Sequence, residues 1–295
     1  MGSPGEIRRG YVDSGLGQLH CLEAGAGPAL VLLPQAGRSS RMYLDLLGEL
    51  ASECRAISID VPGSGRSVPL PDREVSMAEI AAAVAAGLAA LGVERADVFG
   101  LHGGNKVGAA LAADHPDLVR RFVFAGMSHS IVPGKEQRDA MFLQTPAVTD
   151  VLEANSGADP LPAWAGQLRD LTALWLGPQA IGGLADPVER RHTVELAIDG
   201  LESFQDRPAF YRAAFEYDLG ADLARIAAPT LILEIATPRE DREVGRQGEA
   251  LLATIPDSTL LTLEHEDVYA ATLEDRVPEL AAILREFFAN AGSGG

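Results

Sequence analysis

The stretch that most constrains the fold is Ala96-Asp-Val-Phe-Gly-Leu-His-Gly-Gly-Asn-Lys-Val-Gly-Ala-Ala110. An apolar run centred on Val98 and Phe99, of the kind that fills a buried strand, passes within a few residues into an alanine-rich segment that favours helix. Gly100, Gly103 and Gly104 flank His102, so side chains are missing where two backbones must approach closely. The spacing predicts a strand, a sharp turn and a helix, with the imidazole of His102 lifted at the turn. A strand feeding directly into a helix is half of a βαβ unit, which commits the chain to an α/β organisation.

The flanking sequence repeats this alternation. Strands are expected over 18–23, 29–33, 56–60 and 122–125, and helices over 42–52, 77–91 and from the turn to Asp114. Ser76 followed three residues later by Glu79 is a capping box at the start of the 77–91 helix. Short apolar runs alternating with helices argue for a mostly parallel sheet covered on both faces. After Gly126 the pattern breaks: residues 127–220 offer helical segments and turns but no buried strand. It resumes with strands at 230–235 and 258–263 and helices over 245–254 and 276–289. The expected organisation is a core of 1–126 and 221–290, a helical cap of 127–220 above the strands' C-terminal ends, and a flexible Gly-Ser tail, 291–295. At 295 residues and 47% hydrophobic, the chain is long enough to bury one such core with its insertion.

Several segments together resemble the α/β-hydrolase superfamily over nearly the whole chain. They are Leu32-Leu-Pro-Gln35, Asp60-Val-Pro-Gly-Ser-Gly-Arg-Ser67, the turn at His102 with its helix and His115-Pro116, Val119 to Phe124, Pro229 to Leu233, and Ile255 to Ser258. In that family Gly-x-Ser-x-Gly forms a nucleophile elbow; here Gly100-x-His102-x-Gly104 resembles a subgroup with histidine in place of serine. The resemblance implies an α/β-hydrolase fold with a cap, and it also exposes departures. The family's first loop usually reads His-Gly, with backbone donors to an oxyanion; here Pro34-Gln35 stands there, leaving Ala36 and the Gln35 side chain as candidate donors with Gly103. The family's acid falls at Pro238, with Glu240 and Asp241 just beyond. Its histidine falls at Val268 or Tyr269, and His265 comes three or four residues early. A serine triad therefore lacks its nucleophile and its usual base.

Imidazole titrates near neutrality, so His102 can serve as a general base. The start of the following helix and the Gly103 N–H suit a developing oxyanion and disfavour a charged ring. Glu240 or Asp241 could orient the ring by accepting its second N–H, as a carboxylate does in a catalytic triad. Tyr269 reads equally as proton donor or pocket wall, and His129 as pocket residue or polar loop residue. Trp164 and Trp175, with Phe204, Phe210, Tyr211, Phe215 and Tyr217, line an apolar pocket or pack between cap helices. Lys106 reads as a surface or helix-flank charge, and Ser64 as part of a turn rather than a nucleophile. Glu264-His-Glu-Asp267 reads as a solvated charge run, so no metal site is expected. No Gly-x-Gly-x-x-Gly joins strand to helix, so no dinucleotide cofactor, and no cofactor of any kind, is expected.

A net charge of -18 disfavours nucleic acid and anionic membrane partners. Cys21 and Cys54 lack metal or redox spacing and suggest reduced, buried thiols; with no apolar N-terminal run, a cytoplasmic monomer or homodimer is expected. Three readings stand. One is a cofactor-independent hydrolase of a small apolar ester, lactone, epoxide or activated C–C bond, with His102 as base. The others are a lyase, isomerase or cyclase of secondary metabolism on the same scaffold, and a ligand-binding protein without turnover.

Overall fold

The computed structural model describes residues 5–126, 187–243, 245–266 and 272–289. Eight strands form one sheet: β1 (Arg8–Ser14), β2 (Gly17–Ala24), β3 (Ala29–Leu33), β4 (Arg55–Ile59), β5 (Ala96–Leu101), β6 (Val119–Ala125), β7 (Thr230–Ala236) and β8 (Ser258–Glu264). Their spatial order is β1-β2-β4-β3-β5-β6-β7-β8. β1 and β2 form an antiparallel hairpin, β2 pairs antiparallel with β4, and the other pairs are parallel. β3 and β5 run side by side, with Leu33 opposite Gly100, so the first loop and the His102 turn leave the sheet together.

Strand alternation divides the core. Val31, Leu33, Ile57, Val98, Phe122 and Phe124 pack on one face with α2 (Met77–Ala90) and α3 (Gly103–Asp114). Leu30, Leu32, Phe99, Val123, Leu231 and Leu233 pack on the other with α1 (Leu44–Leu50). A sheet buried on both faces explains why these strands read as continuous apolar runs. The capping box of α2 forms as expected, with Ser76 Oγ accepting from Glu79 N and the Glu79 carboxylate accepting from Ser76 N. The expected helix over 42–52 is a short 3₁₀ turn, Ser40–Tyr43, followed by α1.

Two elements were not expected. β1 is a half-exposed edge strand, Arg-Arg-Gly-Tyr-Val-Asp-Ser, too polar to read as buried. A short helix, Pro238–Glu243, follows β7 directly. In chain order the later helices are α4 (Pro187–Glu202), α5 (Arg207–Glu216), α6 (Leu219–Leu223), α7 (Pro238–Glu243), α8 (Gly248–Thr254) and α9 (Val277–Ala289). α4 lies against the loop that follows β3, at the C-terminal edge of the sheet.

Candidate active site

At the end of β5 the backbone of His102 takes φ 49° and ψ -107°. A non-glycine residue there costs on the order of 1–3 kcal/mol and persists only when its surroundings hold it. They do: His102 N donates to Ala125 O at 3.0 Å, and Asn105 N donates to His102 O at 3.1 Å. Asn105, fully buried, also donates from Nδ2 to Ala125 O at 3.0 Å. One carbonyl at the end of β6 thus staples both sides of the turn. Spacing alone does not single out Asn105, although a polar amide one turn after His102, in a helix otherwise made mostly of small and apolar residues, is the available signal.

The second component is the loop after β3. Residues Gln35 to Arg38 form a turn closed by Arg38 N donating to Gln35 O at 3.1 Å, with Gly37 at φ 76°. A Cβ on Gly103 would stand 2.7 Å from Ala36 N. The Ala36 and Gly103 backbones therefore lie close together, next to His102. The Gln35 side chain is buried.

The imidazole itself rests on Gly126. A Cβ there would stand 2.7 Å from Cε1, 2.8 Å from Nδ1 and 3.1 Å from Nε2 of His102. Gly126, at φ 67°, donates its N–H to Leu233 O at 2.9 Å, tying this floor to β7. The ring thus lies against the end of β6, where Gly126 joins it to β7.

At the start of α7, Thr237 Oγ1 accepts from Glu240 N at 3.1 Å and Thr237 O from Asp241 N at 2.9 Å, an N-cap with Pro238 in the first helical position. Glu240 is half-buried. Asp241 is 41% exposed and pairs with Arg246, Nε to Oδ1 at 2.6 Å. His265 Nε2 lies 3.6 Å from Glu279 Oε2 of α9, which accounts for its orientation. Lys106 differs from expectation: it is only 5% exposed, because α3 is buried on nearly every side. Ser64 is buried in the turn beside Asp60. Burial opposes ionisation of Asp60, but hydrogen bonds from His20 and from the Arg66 and Ser40 amides outweigh it and hold the carboxyl below its usual range. Cys21 is buried and Cys54 half-buried, both as free thiols. Tyr269, His129, Trp164 and Trp175 lie outside the described residues. Among the described residues no group of three His, Cys, Asp or Glu could hold a metal ion, and no helix is long and apolar enough to cross a membrane.

Comparison with known proteins places the fold. The sequence profile of the alpha/beta hydrolase fold matches residues 28–181, more than half of the chain. A protein of Pseudomonas savastanoi pv. phaseolicola, provisionally named carbamate hydrolase RutD, is 27% identical over 90% of this chain and 96% of its own length. A fluoroacetate dehalogenase of a Burkholderia species is 28% identical over 65% of this chain and 72% of its own. The crystal structure of a hydrolase from Pseudomonas aeruginosa superposes with a TM-score of 0.70 and 26% identity, covering 95% of this chain and 98% of that one.

Proposed function

The chain belongs to the alpha/beta hydrolase fold family, and we propose that within it the protein is a hydrolase of a small, largely apolar substrate, with His102 as general base towards water. The observation that carries this reading is the company His102 keeps. Its ring is seated on Gly126, at a strained turn, beside the corner where the Ala36 and Gly103 backbones meet. An imidazole seated in this way can take a proton from water, and two backbone N–H groups nearby can receive the oxyanion that water's attack creates. Glu240 is the carboxylate assigned to orient the ring, since Asp241 is engaged at the surface by Arg246. No covalent intermediate is required, because imidazole adducts are labile and no serine stands at the elbow.

The similar proteins support hydrolysis as the reaction class: their names describe splitting of a carbamate and of a carbon–fluorine bond, so the bond type is left to experiment. Turnover of activated esters, lactones and epoxides by the wild type, His102→Ala and His102→Ser tests the reading, with ¹⁸O-labelled water following the oxygen. The expected result is label in the product and a loss of about 10²–10⁴-fold in kcat for His102→Ala. A wild type inert on the whole panel, or product without label, overturns it.

A further inference from the structure

We propose that Arg38, Asp199 and Glu274 form a clasp that positions the Ala36 amide for catalysis, so that the seating of α4 and the assembly of the oxyanion corner are one event. The proposal rests on the oxyanion role assigned above to Ala36 and Gly103. Arg38 ends the turn that carries Ala36, and its guanidinium is only 4% exposed. Both outer nitrogens grip Glu274, Nη1 to Oε2 at 2.7 Å and Nη2 to Oε1 at 2.6 Å, while Nε donates to Asp199 Oδ2 at 2.9 Å. Such planar, two-pronged pairing fixes direction as well as charge. Asp199, on α4, is fully buried and takes three more donors: Ser39 Oγ at 2.6 Å, Ser39 N at 3.2 Å and Arg41 Nη2 at 2.7 Å. Just after α4, Ser203 Oγ donates to Asp199 O at 2.7 Å and lies 3.2 Å from Gly37 O.

The pattern has a direction. Residues 38, 39 and 41 are each bound by carboxylates of α4, and Arg38 also by Glu274 from beyond β8. The turn's own backbone supplies one closing bond, Arg38 N to Gln35 O, and its touching partner is Gly103. A clasp built only to fasten α4 could have gripped any part of the core surface, as Arg191 does in pairing with Asp45. Instead the buried charges converge on the few residues that carry the oxyanion donor. Removing one partner leaves a buried charge uncompensated, so the turn must readjust when the clasp is broken.

The test compares Asp199→Asn and Glu274→Gln with Arg191→Ala, which loosens α4 through an exposed ion pair without touching the turn. The Ala36 and Gly103 amide resonances in ¹⁵N-labelled protein report the corner directly; kcat and KM for the best substrate of the panel report its use. The expected result is displaced Ala36 and Gly103 resonances and a ten- to hundredfold loss in kcat with little change in KM for both clasp variants. Arg191→Ala should leave all three in place, and Glu274→Asp should regain part of the rate. Clasp variants that melt earlier but keep both resonances and kcat overturn the proposal. Should the wild type prove inert, the resonances still decide whether the clasp sets the corner, separately from the reaction assigned to it.

Discussion

Replacing Gly126 by alanine is the sharpest probe of how His102 is seated. The new methyl would stand 2.7 Å from Cε1 of the ring and nearly as close to Nδ1. Carbon atoms rest at about 3.5 Å or more, so the ring must retreat by roughly 0.8 Å. A shift near 1 Å at a reacting group costs about 10²-fold in rate. The backbone change has its own cost, because alanine at φ 67° loses about 1–2 kcal/mol relative to glycine. Gly92 isolates that second cost: it sits at φ 71° with nothing within 4 Å of its would-be Cβ. Gly92→Ala should therefore melt a few degrees lower with kcat unchanged, whereas Gly126→Ala should melt lower and lose about a hundredfold in kcat. Thermal unfolding and steady-state kinetics on the same preparations separate the two, and the imidazole ¹H–¹³C resonances show whether the ring has moved. A Gly126→Ala variant that melts with Gly92→Ala and turns over within about threefold of wild type would falsify the seating argument.

Glu240→Gln should lower kcat by about tenfold or more, as for loss of a ring-orienting carboxylate, whereas Asp241→Asn should change it less than twofold, since Asp241 serves an exposed ion pair worth about 1 kcal/mol or less; the reverse ranking in steady-state kinetics would move the assignment. Glu195 tests the charge balance around the clasp, where burial, and then the like charges of Glu274 and Asp199, outweigh Arg191 and Arg38 and raise its pKa. A carboxyl whose folded pKa is raised costs stability above that pKa and nothing below its unfolded value near 4.3. Glu195→Gln should therefore raise the melting temperature slightly at pH 7, by at most a few degrees, with the gain fading as pH approaches about 4; a gain that is flat with pH would point to packing instead.

The fold was legible because its signals are local. The central strands are buried on both faces, so Ala29–Leu33 reads as an unbroken apolar run and Leu231–Ala236 as one interrupted only by Glu234. The glycines around His102 announce the turn because a Cβ at Gly100, Gly103 or Gly104 would collide with the backbone of α3, of Ala36 or of Leu33 and Pro34, respectively. β1 escaped because this edge strand of a hairpin buries none of its side chains fully, leaving no apolar run or apolar alternation to find. α7 escaped for a different reason: Thr237-Pro-Arg-Glu240 carries a capping signal, but a helix this short has no apolar period to confirm it. Of the site, the residues within a few positions of His102 and Ala36 could be named from spacing alone. Gly126 could not, because its role depends on β6 lying beside β5. Nor could the clasp, since Arg38 and Glu274 are far apart in the chain and meet only when the sheet and α4 are both in place.

A histidine at this elbow also changes what the rest of the corner must do. A serine hydroxyl would lie one bond beyond Cβ, close against the amides at Ala36 and Gly103, and would attack a carbonyl directly. An imidazole is longer and planar, and aimed straight outward it would fill the space the reacting carbonyl needs. Gly126 removes that conflict: lacking a side chain, it lets the ring lie back over the β6–β7 junction. In the proposed mechanism a water molecule and the bond it attacks take the place beside the two amides. On the proposed reading, the water stands where a serine oxygen would, and the ring reaches it from the side. On that same reading, the histidine at the elbow and the glycine that receives its ring act as one arrangement. His102→Ser tests this directly, because a serine here would regain the nucleophile's place but find no histidine in the family's usual position, where Val268 and Tyr269 stand. It should show at most slow, single-turnover acylation by an activated ester, detectable as a burst of leaving group. Multiple turnovers at a rate matching the wild type would mean that another residue already serves as the base.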